Sequence, residues 1–264
     1  MFDKKWLWLG FSLFLLLGSV GCGRNYAPSD NLDEVYVENI PRPILLHLEV
    51  AERYLIDGLV RESLAKLLKI QSQAQDYARF HFDLGMAYWA LKQRPKAILE
   101  FERAVKINPV YGEAWNNLGL VYLQENKLDQ ARRCFQRALK ILTYKTPELP
   151  ALNLARVYLR QNKIDQAIAM AKASIDYNWR YGQAYLFLGK LLQEQGKLEQ
   201  AQKILKQGVD ANPNNPTLVL EYAKLLLKLG QGQEAKKWFK FLLSQDATSK
   251  EAQVARDYLD FLSQ

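Results

Sequence analysis

At 264 residues, 49% hydrophobic and 24% charged, the chain is long enough for one or two compact domains or for one repeat array. Its 14 glycines and 9 prolines are too few for a fibrous or low-complexity chain, and 2 cysteines are too few for a disulfide framework. The formal charge of +8 suits nucleic acid, anionic lipid or an acidic protein, and does not choose among them.

The N-terminus has the layout of a secretory signal. Lys4 and Lys5 precede an apolar run from Trp6 to Val20, broken only by Gly10, Ser12, Gly18 and Ser19, and small residues then lead to Cys22. The run is short for a spanning helix, which needs about 20 apolar residues. Ser19-Val20-Gly21-Cys22 resembles the lipobox of bacterial lipoproteins, with Ser19 where that family usually carries leucine. The resemblance implies a signal peptide over 1–21 and acylation of Cys22. Because Gly23 follows and not aspartate, it also implies an anchor in the outer membrane. Buried acyl chains hold through about 0.8 kcal/mol per methylene. Ordinary signal cleavage and an uncleaved anchor are the alternatives. Residues 22–43 read as a lipid-bearing tether, with Pro28, Ser29, Asp30, Pro41 and Pro43 and no helical periodicity. With Cys22 given to lipid, Cys134 has no partner, and the fold must stand on packing.

From Ile44 the sequence repeats every 34 residues, with starts at Ile44, Ala78, Gly112, Glu148, Gly182 and Pro216 and two extra residues before Glu148. The pattern is similar to the tetratricopeptide repeat. The eighth position holds Ala51, Gly85, Gly119, Ala155, Gly189 and Ala223; the twentieth holds Ser63, Ala97, Ala131, Ala167, Ala201 and Ala235. Small side chains are needed there because the two helices of a hairpin cross closely. The twenty-fourth position holds Leu67, Phe101, Phe135, Ala171, Leu205 and Phe239, and apolar spacings of three and four give each helix a buried face. The fifteenth position is Gly58, Asn126, Asn162, Gly196 or Gly230 in five repeats, residue types that accept the left-handed conformation ending a helix. The second repeat has Lys92 there, followed by Pro95, which suits a first helical turn. A last amphipathic helix, over 250–264, covers the final apolar face with Ala252, Ala255, Leu259 and Leu262. The expected fold is therefore all-α: a right-handed superhelical solenoid of six tetratricopeptide hairpins over 44–249, plus a C-terminal capping helix.

In this fold the first helix of each repeat lines a concave groove through positions two, five, nine, twelve and thirteen. The N-terminal half of the expected groove is apolar: Leu45, Leu48, Leu55 and Ile56, then Phe82, Met86 and Trp89, then Leu120 and Leu123, with Asn116 placed to bond a ligand backbone. The C-terminal half mixes Leu152, Leu159, Leu186, Leu220 and Leu227 with Arg156, Arg160, Lys190, Lys224 and Lys228, which suit acidic residues or a terminal carboxylate. Several of these leucines have an alternative role in packing against the neighbouring helix.

His47 and His81 lie in separate repeats, and no metal-ligand cluster, nucleophile elbow or phosphate loop appears. No metal, cofactor, small-molecule substrate or nucleic acid is expected, and no enzymatic activity. Glu100 and Glu102 are expected on outward helix faces, and Cys134 in packing. The lipobox, tether and six repeats together resemble the outer-membrane pilotin lipoproteins of type IV pilus systems, the PilF, PilW and Tgl-like family. Asn116-Asn117-Leu118-Gly119 is similar to an Asn-Asn-x-Gly stretch of that family, and Tyr144-Lys145-Thr146-Pro147-Glu148, leading to Asn153-Leu154, is similar to its Tyr-Pro-Glu loop and following Asn-Leu. Two residues separate Tyr144 from Pro147, a departure that leaves the subfamily open. The resemblance implies a protein at the periplasmic face of the outer membrane whose groove holds a segment of secretin and promotes its localisation and multimerisation. A general envelope scaffold, binding cell-wall enzymes or the outer-membrane assembly machinery, is the alternative.

Overall fold

The computed structural model describes residues 38–263; the leader, Cys22 and the tether up to residue 37 lie outside the described residues. Among the described residues there are fourteen α-helices and no strand. They form an all-α solenoid of stacked hairpins. The first hairpin is α1 (Arg42–Ile56) and α2 (Val60–Lys69), followed by the short α3 (Gln71–Ala74). Then come α4 (Ala78–Ala90) with α5 (Arg94–Ile107), α6 (Gly112–Gln124) with α7 (Leu128–Leu139), and α8 (Glu148–Arg160) with α9 (Ile164–Tyr177). The last are α10 (Gly182–Glu194) with α11 (Leu198–Ala211), α12 (Pro216–Lys228) with α13 (Gly232–Gln245), and the single α14 (Lys250–Phe261). Helix α1 begins at Arg42, inside the stretch read as tether, because Pro43 falls in its first turn, where a missing N–H costs nothing.

Close crossing of helices explains the glycines at position eight. A Cβ added to Gly85 would lie 2.6 Å from the Phe101 ring, one at Gly119 2.6 Å from Phe135, and one at Gly189 2.6 Å from Leu205. In each case the neighbour is the position-twenty-four side chain of the same hairpin, and Phe101, Phe135, Leu205 and Phe239 are fully buried. Each intra-hairpin turn passes through one left-handed residue: Gly58, Lys92, Asn126, Asn162, Gly196 and Gly230 all have positive φ. Lys92, at φ 61°, adopts the conformation without the residue type that favours it.

Apolar side chains join into a few contiguous clusters along the stack. Ile44, Leu48, Leu67, Phe80 and Leu84 fasten the first hairpin to the second; Phe101, Leu118, Phe135, Leu154 and Val157 run through the middle repeats; Tyr185, Leu205, Leu218, Leu225 and Phe239 reach α14. The lengthened connection before α8 is tucked in by Tyr144, which is buried beside Ile141 and packs near Val110 and Trp115. A Cβ on Gly112 would lie 2.5 Å from the Tyr144 ring.

Two buried polar features depart from simple packing. Glu100 is buried, not outward-facing: its carboxylate lies 2.6 Å from His81 Nδ1 and accepts from Arg103 at 2.8 Å, while His81 Nε2 lies 2.8 Å from the Gln75 carbonyl. Glu102 stays on an exposed face, where its carboxylate accepts from the Tyr122 hydroxyl. Asp83 is buried with Oδ2 unpartnered, and burial pushes its carboxyl up to about 8 despite the nearby Arg79. Cys134 is a free, buried thiol, pushed up to about 12 by burial, and so a packing residue without nucleophilic character.

Candidate partner-binding groove

The first helix of each hairpin presents the groove residues, and the inner positions of successive repeats are tied to one another. The Trp89 indole N–H donates to Gln124 Oε1 at 2.9 Å, Arg160 Nη1 donates to the Leu123 carbonyl at 2.7 Å, and Lys228 Nζ donates to Gln193 Oε1 at 3.2 Å. All three join position twelve of one repeat with position thirteen of the next, the donor standing at twelve in Trp89 and at thirteen in Arg160 and Lys228. These rungs fix the spacing of neighbouring first helices along the groove floor.

A second link lies deeper. Asn153 Nδ2 donates to Asn116 Oδ1 at 3.1 Å, and Arg156 Nη1 donates to Asn153 Oδ1 at 2.8 Å. Asn116 is buried, so its carbonyl oxygen serves α8 and does not meet a ligand, which corrects the role expected for it. The Asn116–Asn153–Arg156 chain holds the Arg156 guanidinium at the groove by one N–H and leaves the rest of its fork for a carboxylate.

The apolar residues sort by burial. Phe82, Met86, Trp89, Leu120 and Leu159 are half-buried, with partial surface to offer a ligand. Phe82 leans on Phe101 and Tyr111, with ring centroids at 5.8 and 5.0 Å, so much of its face is spent inside the stack. Leu152 and Leu48 are at 0% exposure and Leu123 at 6%, because the first helices lie close enough there to close over these positions. These three belong to the packing between repeats and not to the ligand-facing surface. Arg156 is half-buried and Arg160 exposed, though both already carry internal bonds. Lys224 pairs with Glu221 at 3.2 Å on its own helix, which lowers the positive charge of the far end. In the middle repeats the surface that remains is an apolar patch from Met86, Trp89 and Leu120 leading to Leu159 and two held arginines; towards the ends Leu45, Leu55, Leu186 and Leu227 are half-buried and Ile56, Lys190 and Lys228 exposed. Gln124 carried no sequence signal beyond a polar residue at an inward position, and Asn153 stood only in the Asn153-Leu154 stretch of the resemblance, without a role.

No group of three or more His, Cys, Asp or Glu among the described residues can hold a metal ion, and no described helix is long and apolar enough to cross a membrane. Geometry of this kind, a ladder of helical hairpins with a side-chain-lined floor, defines a repeat scaffold whose general role is to hold a protein segment.

Family models described as tetratricopeptide repeat match residues 78–109, 110–178, 158–217 and 192–256, a continuous span covering most of the array. The chain belongs to the tetratricopeptide-repeat family. A chloroplast tetratricopeptide repeat domain-containing protein of Arabidopsis thaliana, PYG7, is 40% identical over 65 residues, which is 25% of this chain and only 22% of that protein's length. In fold the chain is similar to PilF of Pseudomonas aeruginosa, with a TM-score of 0.66 and 18% identity over 80% of this chain and 96% of that one. It is also similar to PilW, described as a widely conserved type IV pilus biogenesis factor, with a TM-score of 0.68 and 22% identity over 81% and 99% of the two chains.

Proposed function

We propose that the chain is an outer-membrane lipoprotein of type IV pilus biogenesis, anchored through Cys22, whose repeat groove captures a segment of secretin and promotes its outer-membrane localisation and multimerisation. The observation that carries this reading is the likeness to PilW across 99% of that chain, which matches the array from end to end and not one hairpin among many. The lipobox-like Ser19–Cys22 supplies the location in this reading, and the patch from Met86 to Leu159 with Arg156 supplies the selectivity. Confining both partners to one bilayer raises their local concentration and favours assembly over aggregation. A repeat array of this kind works by binding and not by turnover.

Replacing Cys22 by serine in the native host tests the reading. The protein is expected to leave the outer-membrane fraction, and the heat-resistant secretin multimer to disappear while its monomer persists. A relocated protein with normal secretin multimers would remove it.

A further inference from the structure

All connections between successive repeats lie along one edge of the stack, and neighbouring connections touch. Tyr144, in the connection before α8, packs on Gly112 at the start of α6. Asn178, before α10, donates to Glu148 Oε1 at the start of α8 at 3.0 Å, and Asn215, before α12, lies against Gly182. This edge carries the outward apolar side chains Leu142, Tyr177 and Trp179, exposed by 82%, 52% and 57%. Their display is not slack. The Trp179 carbonyl accepts from the Tyr185 hydroxyl at 2.9 Å, Arg180 N donates to Asn178 Oδ1 at 3.0 Å, and the Arg180 guanidinium sits 4.6 Å from the indole centroid. The connection is built firmly, yet its largest side chain faces water.

Two observations say what covers it. The charged residues flanking the three apolar ones include the exposed Lys140, Lys145 and Arg180, against the exposed Asp176 and, beside Tyr144, Glu113. An exposed tryptophan and tyrosine on one connection, with a protruding leucine on the neighbouring one and basic residues around them, is the chemistry of a membrane–water interface, where indole and phenol rings sit at headgroup level and cations meet anionic lipid. The second observation is where the chain enters the array. The Glu38 carboxylate accepts from the backbone N–H groups of Ala78, at 2.5 Å, and Arg79, at 3.2 Å, at the N-terminus of α4. Helix α4 starts on the connection edge, so Glu38 lies on the same edge that displays Leu142 and Trp179. The residues from 22 to 37 span at most about 55 Å when fully extended, which lets that edge reach the bilayer.

We infer that the inter-repeat edge around Leu142, Tyr177 and Trp179, with Lys140, Lys145 and Arg180, rests on an anionic membrane surface and orients the array beside its anchor. This rests on the membrane attachment of the proposed reading but not on secretin.

The test uses the full chain reconstituted through its own N-terminus into vesicles containing anionic phosphatidylglycerol with brominated acyl chains, which quench tryptophan at the interface. Wild type is compared with Trp179→Phe and with Leu142→Ser. Trp179 is expected to contribute a quenched component that Trp179→Phe lacks, that shrinks at least about twofold in Leu142→Ser, and that is lost in zwitterionic vesicles or high salt. Equal quenching in wild type and Trp179→Phe overturns the inference, as does a chain that stays in solution. Protection of Trp179 only on adding a soluble protein would likewise overturn it, and assign the edge to a protein contact. No secretin is present, so quenching of Trp179 in a chain that fails to assemble secretin removes only the functional reading. A water-exposed Trp179 in a chain that does assemble it removes only this inference.

Discussion

Lys92 sits in the turn of the second hairpin at φ 61°, where the other repeats place glycine or asparagine. A side chain in this region costs about 1–2 kcal/mol, which the surrounding helices offset. Lys92→Gly is therefore expected to raise stability, by roughly 0.5–1 kcal/mol after the entropy of the added glycine is counted; denaturant unfolding checks this. Asp83 is the converse case, a polar group that burial has cost its charge. Below its ordinary value of 3.8 the carboxyl is protonated in both folded and unfolded chains. Between there and about 8 only the unfolded chain releases its proton, so this contribution to stability is full in acid and declines as pH rises through that window. Asp83→Asn is expected to flatten the decline and to stabilise the protein at pH 8 relative to wild type by about 1–3 kcal/mol, because an amide has no proton for the unfolded chain to release. Thermal unfolding across pH 4–8 reads it, and an unchanged slope would mean that Asp83 stays ionised.

At the scale of the helix pair, the crossing distance sets which substitutions survive. Alanine ordinarily improves on glycine inside a helix by about 0.5–1 kcal/mol. At Gly119 the new methyl would stand 2.6 Å from Phe135, and overpacking of that kind costs about 1–3 kcal/mol, so the loss wins. Gly119→Ala is expected to destabilise by about 1–2 kcal/mol net, while Gly232→Ala, with nothing within 4 Å, is tolerated; paired urea titrations compare the two. This scale was the most legible in the sequence. Small residues at positions eight and twenty mark where helices cross, and a glycine or asparagine at fifteen marks where they turn, because each depends only on residues within one hairpin. What was not legible depends on how hairpins stack. Glu100 is an exception inside one hairpin: it is read as a surface charge because the repeat pattern gives no partner for a carboxylate, until His81 of α4 is placed against it. Leu152 is read as groove lining until neighbouring first helices close over it. The rungs from Trp89 to Gln124 and from Arg160 to the Leu123 carbonyl join residues more than thirty positions apart, and no period within a repeat encodes them. The Glu38 bond to α4 lay beyond sequence reasoning for the same reason.

Across the whole molecule, the same stacking that hides Leu152 leaves a shorter list of residues for a ligand than the sequence pattern offered. The groove keeps Met86, Trp89, Leu120 and Leu159 as partial apolar surface and holds Arg156 ready through Asn153. That division, an apolar patch beside a positioned guanidinium, is what an extended segment with one acidic group requires. It also separates the groove, which would choose the partner, from the edge bearing Trp179, which would set the distance to the bilayer.

The central claim is that this groove binds secretin, and the affinity of the purified full chain for secretin measures it most directly. Leu120→Glu and Arg156→Glu are each expected to weaken binding about tenfold or more while thermal unfolding shows that the fold persists. Binding at wild-type strength by both folded variants would contradict the account.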